Sequence, residues 1–144
     1  MLTCTRPAAR ILAVEDDPLL ASHLQQHLQD SGYGVTLSRD GSEGLRLAVE
    51  GDFDLVLMDI HMPLMDGLTC ARLIRALPGP QAFVTMVALT ADLNAHTVEQ
   101  AKLAGMQEVL SKPLPSSIFS SSALGGSTTI NYNKFMNNLR AKIT

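Results

Sequence analysis

The sequence predicts an α/β protein with a doubly wound parallel sheet, and three observations carry this prediction. Short apolar segments alternate along the chain with longer segments of helical periodicity, which is typical of parallel sheets with helical crossovers. Polar side chains directly follow several of the apolar segments, as expected where ligands bind at the carboxyl ends of parallel strands. The length of 144 residues suits one domain with a core of its own.

Five apolar segments are predicted to form the strands. They are residues 11–14, 35–37, 55–58, 84–89 and 109–112. Each is short and bounded by polar or turn-forming residues, which favours a buried strand over a helix.

Four helices are predicted between these strands. They are expected to begin at Asp17-Pro18, Asp40-Gly41, Leu68 and Ala95. The first has the clearest signals, because an aspartate suits the N-cap and a proline suits the first turn. Its apolar positions recur at helical spacing, at Leu20, Leu24 and Leu28. The fourth helix is expected to end with Gly105 as its cap and to be apolar at Val98, Ala101 and Leu103.

Residues 115–144 depart from this alternation. Residues 115–129 are rich in serine and glycine, which is typical of a flexible linker. Residues 130–144 have apolar side chains at helical spacing, at Tyr132, Phe135, Met136, Leu139 and Ile143. We therefore expect a lead at 1–9, a globular domain at 10–114, a linker at 115–129 and a displaced fifth helix at 130–144. That helix could pack on its own sheet, dock on a second copy as a swapped element, or be foreign sequence.

Composition limits the classes of function. The net charge is −3, the 11 lysines and arginines form no cluster, and aromatic residues make up 4% of the chain, which argues against a nucleic-acid surface. No apolar run approaches the roughly 18 residues that span a membrane, and residues 1–10 lack a secretory signal. We expect a soluble, cytosolic protein in which Cys4 and Cys70 are free thiols.

Carboxylates stand at the ends of two predicted strands. Glu15 and Asp16 follow the first strand, and Asp59 follows the third. If these strands are neighbours, each close pair of carboxylates would repel by about 4 kcal/mol at an effective dielectric constant near 20, so a positive partner is expected. The candidates are a divalent cation with oxygen ligands and Lys112 at the end of the fifth strand. Thr90 ends the fourth strand and would meet them there.

The order of these residues resembles the receiver domain of two-component response regulators. The resemblance rests on V-E-D-D-P at 14–18, M-D-I-H-M-P-L-M-D-G at 58–67, A-L-T-A at 88–91 and L-S-K-P at 110–113. It covers about residues 10–114 and implies a flavodoxin-like receiver fold with strand order 2-1-3-4-5. Ala-Gly-Met at 104–106 and the L-S-K-P segment are more similar to the receivers of hybrid sensor histidine kinases than to those of transcription factors.

The resemblance implies a magnesium site. Asp16 and Asp59 would be direct ligands of Mg²⁺, and Glu15 would act largely through water. His61 would supply its backbone carbonyl oxygen. Its side chain is not expected to bind a metal, because no second histidine or cysteine stands at a suitable spacing.

The resemblance also implies a phosphoryl site on Asp59. Lys112 would bind one phosphoryl oxygen, while the Thr90 hydroxyl and the Ala91 N–H would donate to others. The donor would be the phosphohistidine of a histidine kinase or of a histidine phosphotransfer domain. The domain would take part in its own phosphorylation and dephosphorylation without being an independent multiple-turnover enzyme. A hybrid parent would itself be a histidine kinase, and a homodimer could form through the C-terminal helix.

Alternative functions differ in the residues that they need. A phosphatase similar to the haloacid dehalogenases needs a second aspartate two residues after Asp59, where this chain has His61. A nucleotide-binding protein needs a glycine-rich phosphate loop, and neither G-x-x-x-x-G-K nor G-x-G-x-x-G occurs. A stand-alone or effector-linked regulator and a receiver that only binds partners stay open. Val109 stands where the family carries a switch aromatic, so output would rely on Thr90, the loop at 91–96 or the helices.

Overall fold

A computed structural model of the chain describes residues 9–62, 65–91, 93–111 and 141. Within these residues, five strands alternate with four α-helices and one short 3-10 helix. Strands β1 to β5 are Arg10–Val14, Gly34–Ser38, Leu55–Asp59, Thr85–Thr90 and Glu108–Ser111. Helices α1 to α4 are Pro18–Asp30, Gly41–Glu50, Gly67–Arg75 and Ala95–Leu103, and the 3-10 helix is Pro80–Phe83.

The strands form one parallel sheet in the order β2-β1-β3-β4-β5, which confirms the predicted order. Ile11 of β1 pairs with Val35 on one side and with Leu55 on the other. The strands β1 and β3 are therefore neighbours, and residues that follow them meet at the same edge of the sheet.

Both faces of the sheet are buried, because alternate side chains of a strand point to opposite sides. One face packs on α1 and contains Ile11, Ala13, Leu55 and Leu57 with Leu20, Leu24 and Leu28. The other face packs on α2, α3 and α4 and contains Leu12, Val14, Val56 and Met58 with Ala48, Cys70, Ile74 and Ala101. Because both faces are buried, the sequences of the central strands are continuous apolar runs.

Side chains cap the beginning of all four α-helices. The Asp17 carboxylate accepts hydrogen bonds from the backbone N–H groups of Leu19 at 3.0 Å and Leu20 at 3.5 Å, as predicted for this residue. Asp40, Asp66 and Asn94 cap the other three helices. Because Asp66 is the cap of α3, that helix begins at Gly67, one residue earlier than predicted.

The end of α4 differs from the sequence-based expectation. Leu103 was expected on the apolar side, but it is 70% exposed, whereas Ala101 is fully buried. A helix turns by about 100° per residue, so Leu103 lies on the opposite side of α4 from Ala101. Ala104 is the cap residue, and Gly105 follows it with a φ of +98°, a left-handed conformation that glycine adopts without strain.

Arg75, the last residue of α3, joins three separate segments. Its guanidinium donates to the carbonyl oxygens of Ala82 and Val84, both at 2.7 Å, and of Gly105 at 2.7 and 2.9 Å. It also donates to the Gln107 side chain at 3.0 Å. Its partial burial lowers the pKa of Arg75 from the usual value. All five N–H donors of the guanidinium are used, so this residue holds the amino-terminal edge of the sheet together.

The two ends of the chain lie mostly outside the described residues. Residues 1–8, the linker and the C-terminal helix are not among them, except that Ala141 is helical and exposed. The division into lead, linker and displaced helix therefore stays a prediction. Cys4 also lies outside, while Cys70 is buried and free. In the part of the chain that the structure describes, no helix combines the length and apolar character needed to cross a membrane.

Candidate functional site

Three carboxylates meet beyond the carboxyl ends of β1 and β3. One oxygen each from Glu15, Asp16 and Asp59 lies within 4.8 Å of the other two. Glu15 is 1% exposed and Asp59 is fully buried, whereas Asp16 is half-buried. The structure thus brings together the three acids that the sequence places at the ends of separate strands.

Backbone donors orient the two buried carboxylates. The N–H of Asp17 donates to Oε2 of Glu15 at 3.1 Å, and the N–H of His61 donates to Oδ1 of Asp59 at 3.0 Å. Hydrogen bonds to an ionised acceptor are stronger than bonds between neutral groups. Each buried carboxylate therefore accepts a hydrogen bond from the backbone N–H of the residue two positions later in the chain.

The chemistry of this donor set fits a hard divalent cation. The cluster consists of carboxylate oxygens, the ligands that Mg²⁺ and Ca²⁺ prefer. It includes no thiolate or imidazole, which would favour zinc or copper. Two carboxylates about 4 Å apart repel by about 4 kcal/mol at an effective dielectric constant near 20, so a bound cation would relieve a cost that the fold imposes. The side chain of His61 is exposed.

The end of β4 lies beside this cluster. Asp59 pairs with Leu89, and the backbone N–H of Ile60 donates to the Leu89 carbonyl oxygen at 3.1 Å. Thr90 follows and is fully buried, while Ala91 is exposed. These two residues, predicted to contact a phosphoryl group, thus lie at the same edge of the sheet as Asp59.

The end of β5 leads towards the same edge. Ser111 is the last residue of β5 and pairs with Thr90. Lys112 follows it directly in the sequence but lies outside the described residues. Its contact with the site stays a prediction.

The junction of α2 and α3 contains features that sequence reasoning missed. The Cys70 thiol donates to the carbonyl oxygen of Gly41 at 3.4 Å, and burial raises the pKa of Cys70 to about 11. Gly67 packs directly on the backbone of Asp59 and Ile60. In the sequence Gly67 is part of an Asp-Gly turn signal, which does not reveal what the glycine touches.

A parallel sheet of this order with an acidic cluster at its carboxyl edge is the arrangement expected of a receiver-type domain. The family model described as the response regulator receiver domain matches residues 11–121. The chain therefore belongs to the response regulator receiver domain family, as its motifs predicted, and is a receiver domain of two-component systems.

Similar proteins include both regulators and kinases. The chain is 40% identical over 109 residues to the transcriptional activator protein PfeR of Pseudomonas aeruginosa, covering 76% of this chain and 33% of that protein. It is 39% identical over 108 residues to the sensor histidine kinase AruS of the same organism, covering 74% of this chain and 11% of that protein. The chain thus corresponds to a minor part of the length of these relatives.

Solved structures agree with the fold. One is the receiver domain of the sensor histidine kinase PA1611 from P. aeruginosa, with a magnesium ion coordinated in its active-site cleft. It is 35% identical, has a TM-score of 0.68, and the match covers 77% of this chain and 91% of that chain. Another is the co-crystal structure of the Saccharomyces cerevisiae histidine phosphotransfer protein Ypd1 with the Ssk1 receiver domain. The matched chain is 27% identical, with a TM-score of 0.68 and coverage of 83% and 88%.

Proposed function

We propose that this receiver domain accepts a phosphoryl group on Asp59 from a phosphohistidine, with Mg²⁺ as cofactor. The observation that carries the proposal is the cluster of Glu15, Asp16 and Asp59, whose carboxylate oxygens lie within 4.8 Å of one another. Asp59 is the member of the cluster that ends the central strand β3. The magnesium ion in the cleft of the PA1611 receiver supports the choice of cation.

The metal would be held by residues at the carboxyl ends of β1 and β3. Asp16 and Asp59 would bind it directly, Glu15 would act largely through water, and His61 would offer its backbone carbonyl oxygen. When bound, Mg²⁺ neutralises charge on the phosphoryl oxygens and helps to orient the group.

The chain's own residues perform the transfer mainly by positioning. A carboxylate oxygen of Asp59 attacks phosphorus, the bond from phosphorus to the imidazole nitrogen breaks, and that nitrogen keeps the electron pair. The product is an acyl phosphate on Asp59. The Thr90 hydroxyl, the Ala91 N–H and the Lys112 ammonium would bind the phosphoryl oxygens, where fixed donors stabilise developing charge.

The donor would be a histidine kinase or a histidine phosphotransfer domain. The similarity to AruS and to the PA1611 receiver favours a place in a hybrid sensor kinase that relays the group between histidines. The similarity to PfeR favours a second candidate, a stand-alone or effector-linked response regulator. In either case we propose a cytoplasmic location without membrane or nucleic-acid contact by this chain, and a homodimer, if one forms, through the C-terminal helix.

A receiver that only binds partners is the third candidate. Val109 is buried and occupies the place of the family's switch aromatic, so the coupling of Asp59 to the surface would differ from the family's pattern. The presence of Glu15, Asp16, Asp59, Thr90 and Lys112 in one chain argues for phosphoryl acceptance.

Intact-mass measurement tests the proposal. Acetyl phosphate with Mg²⁺ should add one phosphoryl group to the wild type, and hydroxylamine should remove it. Asp59→Asn should abolish the addition, whereas Asp52→Asn should leave it unchanged, because Asp52 is exposed and precedes the amino-terminal end of β3. Addition that persists in Asp59→Asn would refute the assignment. Rapid multiple turnover of diverse phosphate esters would instead identify a phosphatase.

A further inference from the structure

Gly67 lies against the backbone of the proposed phosphoacceptor. A β-carbon added at Gly67 would overlap the backbone carbonyl oxygen of Asp59. It would also come within 2.8 Å of the Ile60 Cα and of the Met58 Cγ. Two of these three neighbours are main-chain atoms in or next to a buried strand, which cannot move aside as the end of a flexible side chain can.

The space around Gly67, and not its conformation, explains why a glycine fits there. Among the glycines that the structure describes, the positive φ angles belong to Gly32 and Gly105. Gly67 is instead the first residue of α3, directly after the cap Asp66. A glycine at this place is used because it has no side chain, so that the first turn of the helix can touch the end of β3.

From these contacts we propose that Gly67 is a positioning residue for phosphoryl transfer, an inference that rests on the proposed function of Asp59. The close approach of α3 sets where the last residue of β3 lies, while the His61 N–H sets how its carboxylate is turned. Glu15 and Asp16 follow β1, and neither supplies one of the three atoms nearest to the added β-carbon. A residue larger than glycine would therefore displace Asp59 relative to the other two acids.

A second glycine, in α2, packs against the segment of residues 65–67 that contains Gly67. A β-carbon added at Gly41, the first residue of α2, would lie 2.7 Å from the backbone oxygen of Met65. The Gly41 carbonyl oxygen accepts the Cys70 thiol hydrogen bond at 3.4 Å. Residues 65–67 are thus held between the beginning of α2 and the end of β3, which leaves Gly67 little room to retreat.

A larger side chain at position 67 is expected to lower the reactivity of Asp59 itself. Asp59 would serve both as a metal ligand and as the attacking group, and a displacement of about 1 Å at a reacting group can lower a rate by about 100-fold. Loss of fold stability alone would not produce this effect, because molecules that remain folded would react normally.

The experiment compares Gly67→Ala with Gly105→Ala. Gly105 has a φ of +98°, and its added β-carbon would lie 2.8 Å from the Arg75 side chain, so this control is also destabilised but lies after α4, at the opposite edge of the sheet. Three quantities are measured: the thermal midpoint, the Mg²⁺ affinity from NMR titration, and the rate of phosphorylation by acetyl phosphate at saturating Mg²⁺.

We expect both variants to have a lower thermal midpoint and only Gly67→Ala to react slowly. Its rate should fall by about 10- to 100-fold, with a several-fold weaker Mg²⁺ affinity. A wild-type rate in folded Gly67→Ala would overturn the inference, and so would an equal loss of rate in folded Gly105→Ala.

Gly41→Ala takes the place of Gly67→Ala if that variant does not fold. The added methyl group would contact Met65, two residues before Gly67, so this variant should slow phosphorylation by a smaller factor. An unchanged rate would overturn the inference. Failure of the wild type to accept a phosphoryl group would refute the proposed function. The Mg²⁺ affinities of the glycine variants would still test whether Gly67 positions Asp59.

Discussion

The backbone N–H of His61 donates a hydrogen bond of 3.0 Å to Oδ1 of Asp59. Because the donor is a main-chain group, the side chain at position 61 can change without loss of this bond, except to proline. The exposed His61 side chain can therefore vary while the His61 backbone keeps its hydrogen bond to the Asp59 carboxylate.

Asp16→Asn should weaken Mg²⁺ binding strongly. The substitution keeps the shape of the side chain but removes one of the charges that attract the cation. In the wild type, Mg²⁺ should perturb the amide NMR signals around Asp16, Asp59 and His61, and in the variant this response should require a much higher Mg²⁺ concentration. Asp30→Asn, at the exposed end of α1, serves as the control. An unchanged titration of Asp16→Asn would remove this residue from the metal site.

Lys112→Ala should separate metal binding from the response to phosphorylation. The ammonium is proposed to contact the phosphoryl group and not the cation, so the variant should keep its Mg²⁺ response but lose the chemical-shift changes that acetyl phosphate induces. Lys102→Ala should behave as the wild type, because Lys102 is exposed on the last turn of α4. Normal phosphorylation-induced shifts in Lys112→Ala would contradict the role given to the lysine.

Cys70 should make the fold less stable above about pH 9. Burial raises its pKa from 9.0 to about 11 in the folded state, so between these values the unfolded chain has lost a proton that the folded chain keeps. Stability then falls with rising pH, by at most about 1.4 kcal/mol per pH unit. Below pH 9 both states carry the thiol and the contribution is fully present.

Urea unfolding of the wild type and Cys70→Ala at several pH values measures this difference. Other groups titrate equally in both proteins, so the difference between the two curves isolates the thiol. The variant should lose stability less steeply than the wild type from pH 9 to pH 11. Parallel curves would show that the Cys70 pKa is not raised by folding.

Arg75→Lys should lower the free energy of unfolding by about 2 kcal/mol. A lysine ammonium has three donors and cannot reach the acceptors that the planar guanidinium joins. Arg72→Lys, at an exposed position one turn earlier, should change it by less than about 0.5 kcal/mol. Urea unfolding of the wild type and both variants measures these changes in the free energy of unfolding. Equal stability of the two variants would mean that the Arg75 contacts contribute little.

Phosphorylation provides an independent check on Arg75. The residue joins segments at the amino-terminal edge of the sheet, away from Asp59, so the folded fraction of Arg75→Lys should accept a phosphoryl group at the wild-type rate. A slower reaction would instead show that the two edges of the sheet are coupled.

The elements of the fold were predictable because their signals are local. Apolar runs gave the strands, and Asp17 with Pro18 located the start of α1, where a single side chain accepts from nearby N–H groups. The neighbouring position of β1 and β3, on which the acidic cluster depends, came from the family resemblance. No local pattern in the sequence states which strands pair.

The features that were missed depend on contacts between distant segments. Arg75 reads as a surface charge near the end of a helix, and its acceptors lie 7 to 32 residues further along the chain. Gly67 reads as a turn glycine, although its importance lies in touching Asp59. Leu103 shows a different error: its apolar side chain predicted burial, but an apolar residue near a helix end can be exposed to solvent.

The position of β3 in the sheet determines how a loss of stability would affect the proposed reaction at Asp59. This strand is hydrogen-bonded on both sides, to β1 and to β4, and all five of its residues are buried. Residues 55–58 of β3 pair with both neighbouring strands, and Asp59 pairs with Leu89 of β4. Opening the middle of β3 would require both ladders to separate, so the amides there should exchange with solvent only when the whole domain unfolds. Destabilising changes that do not reach the contact between Gly67 and Asp59 should therefore lower the fraction of folded molecules, while each folded molecule keeps the reactivity proposed for Asp59.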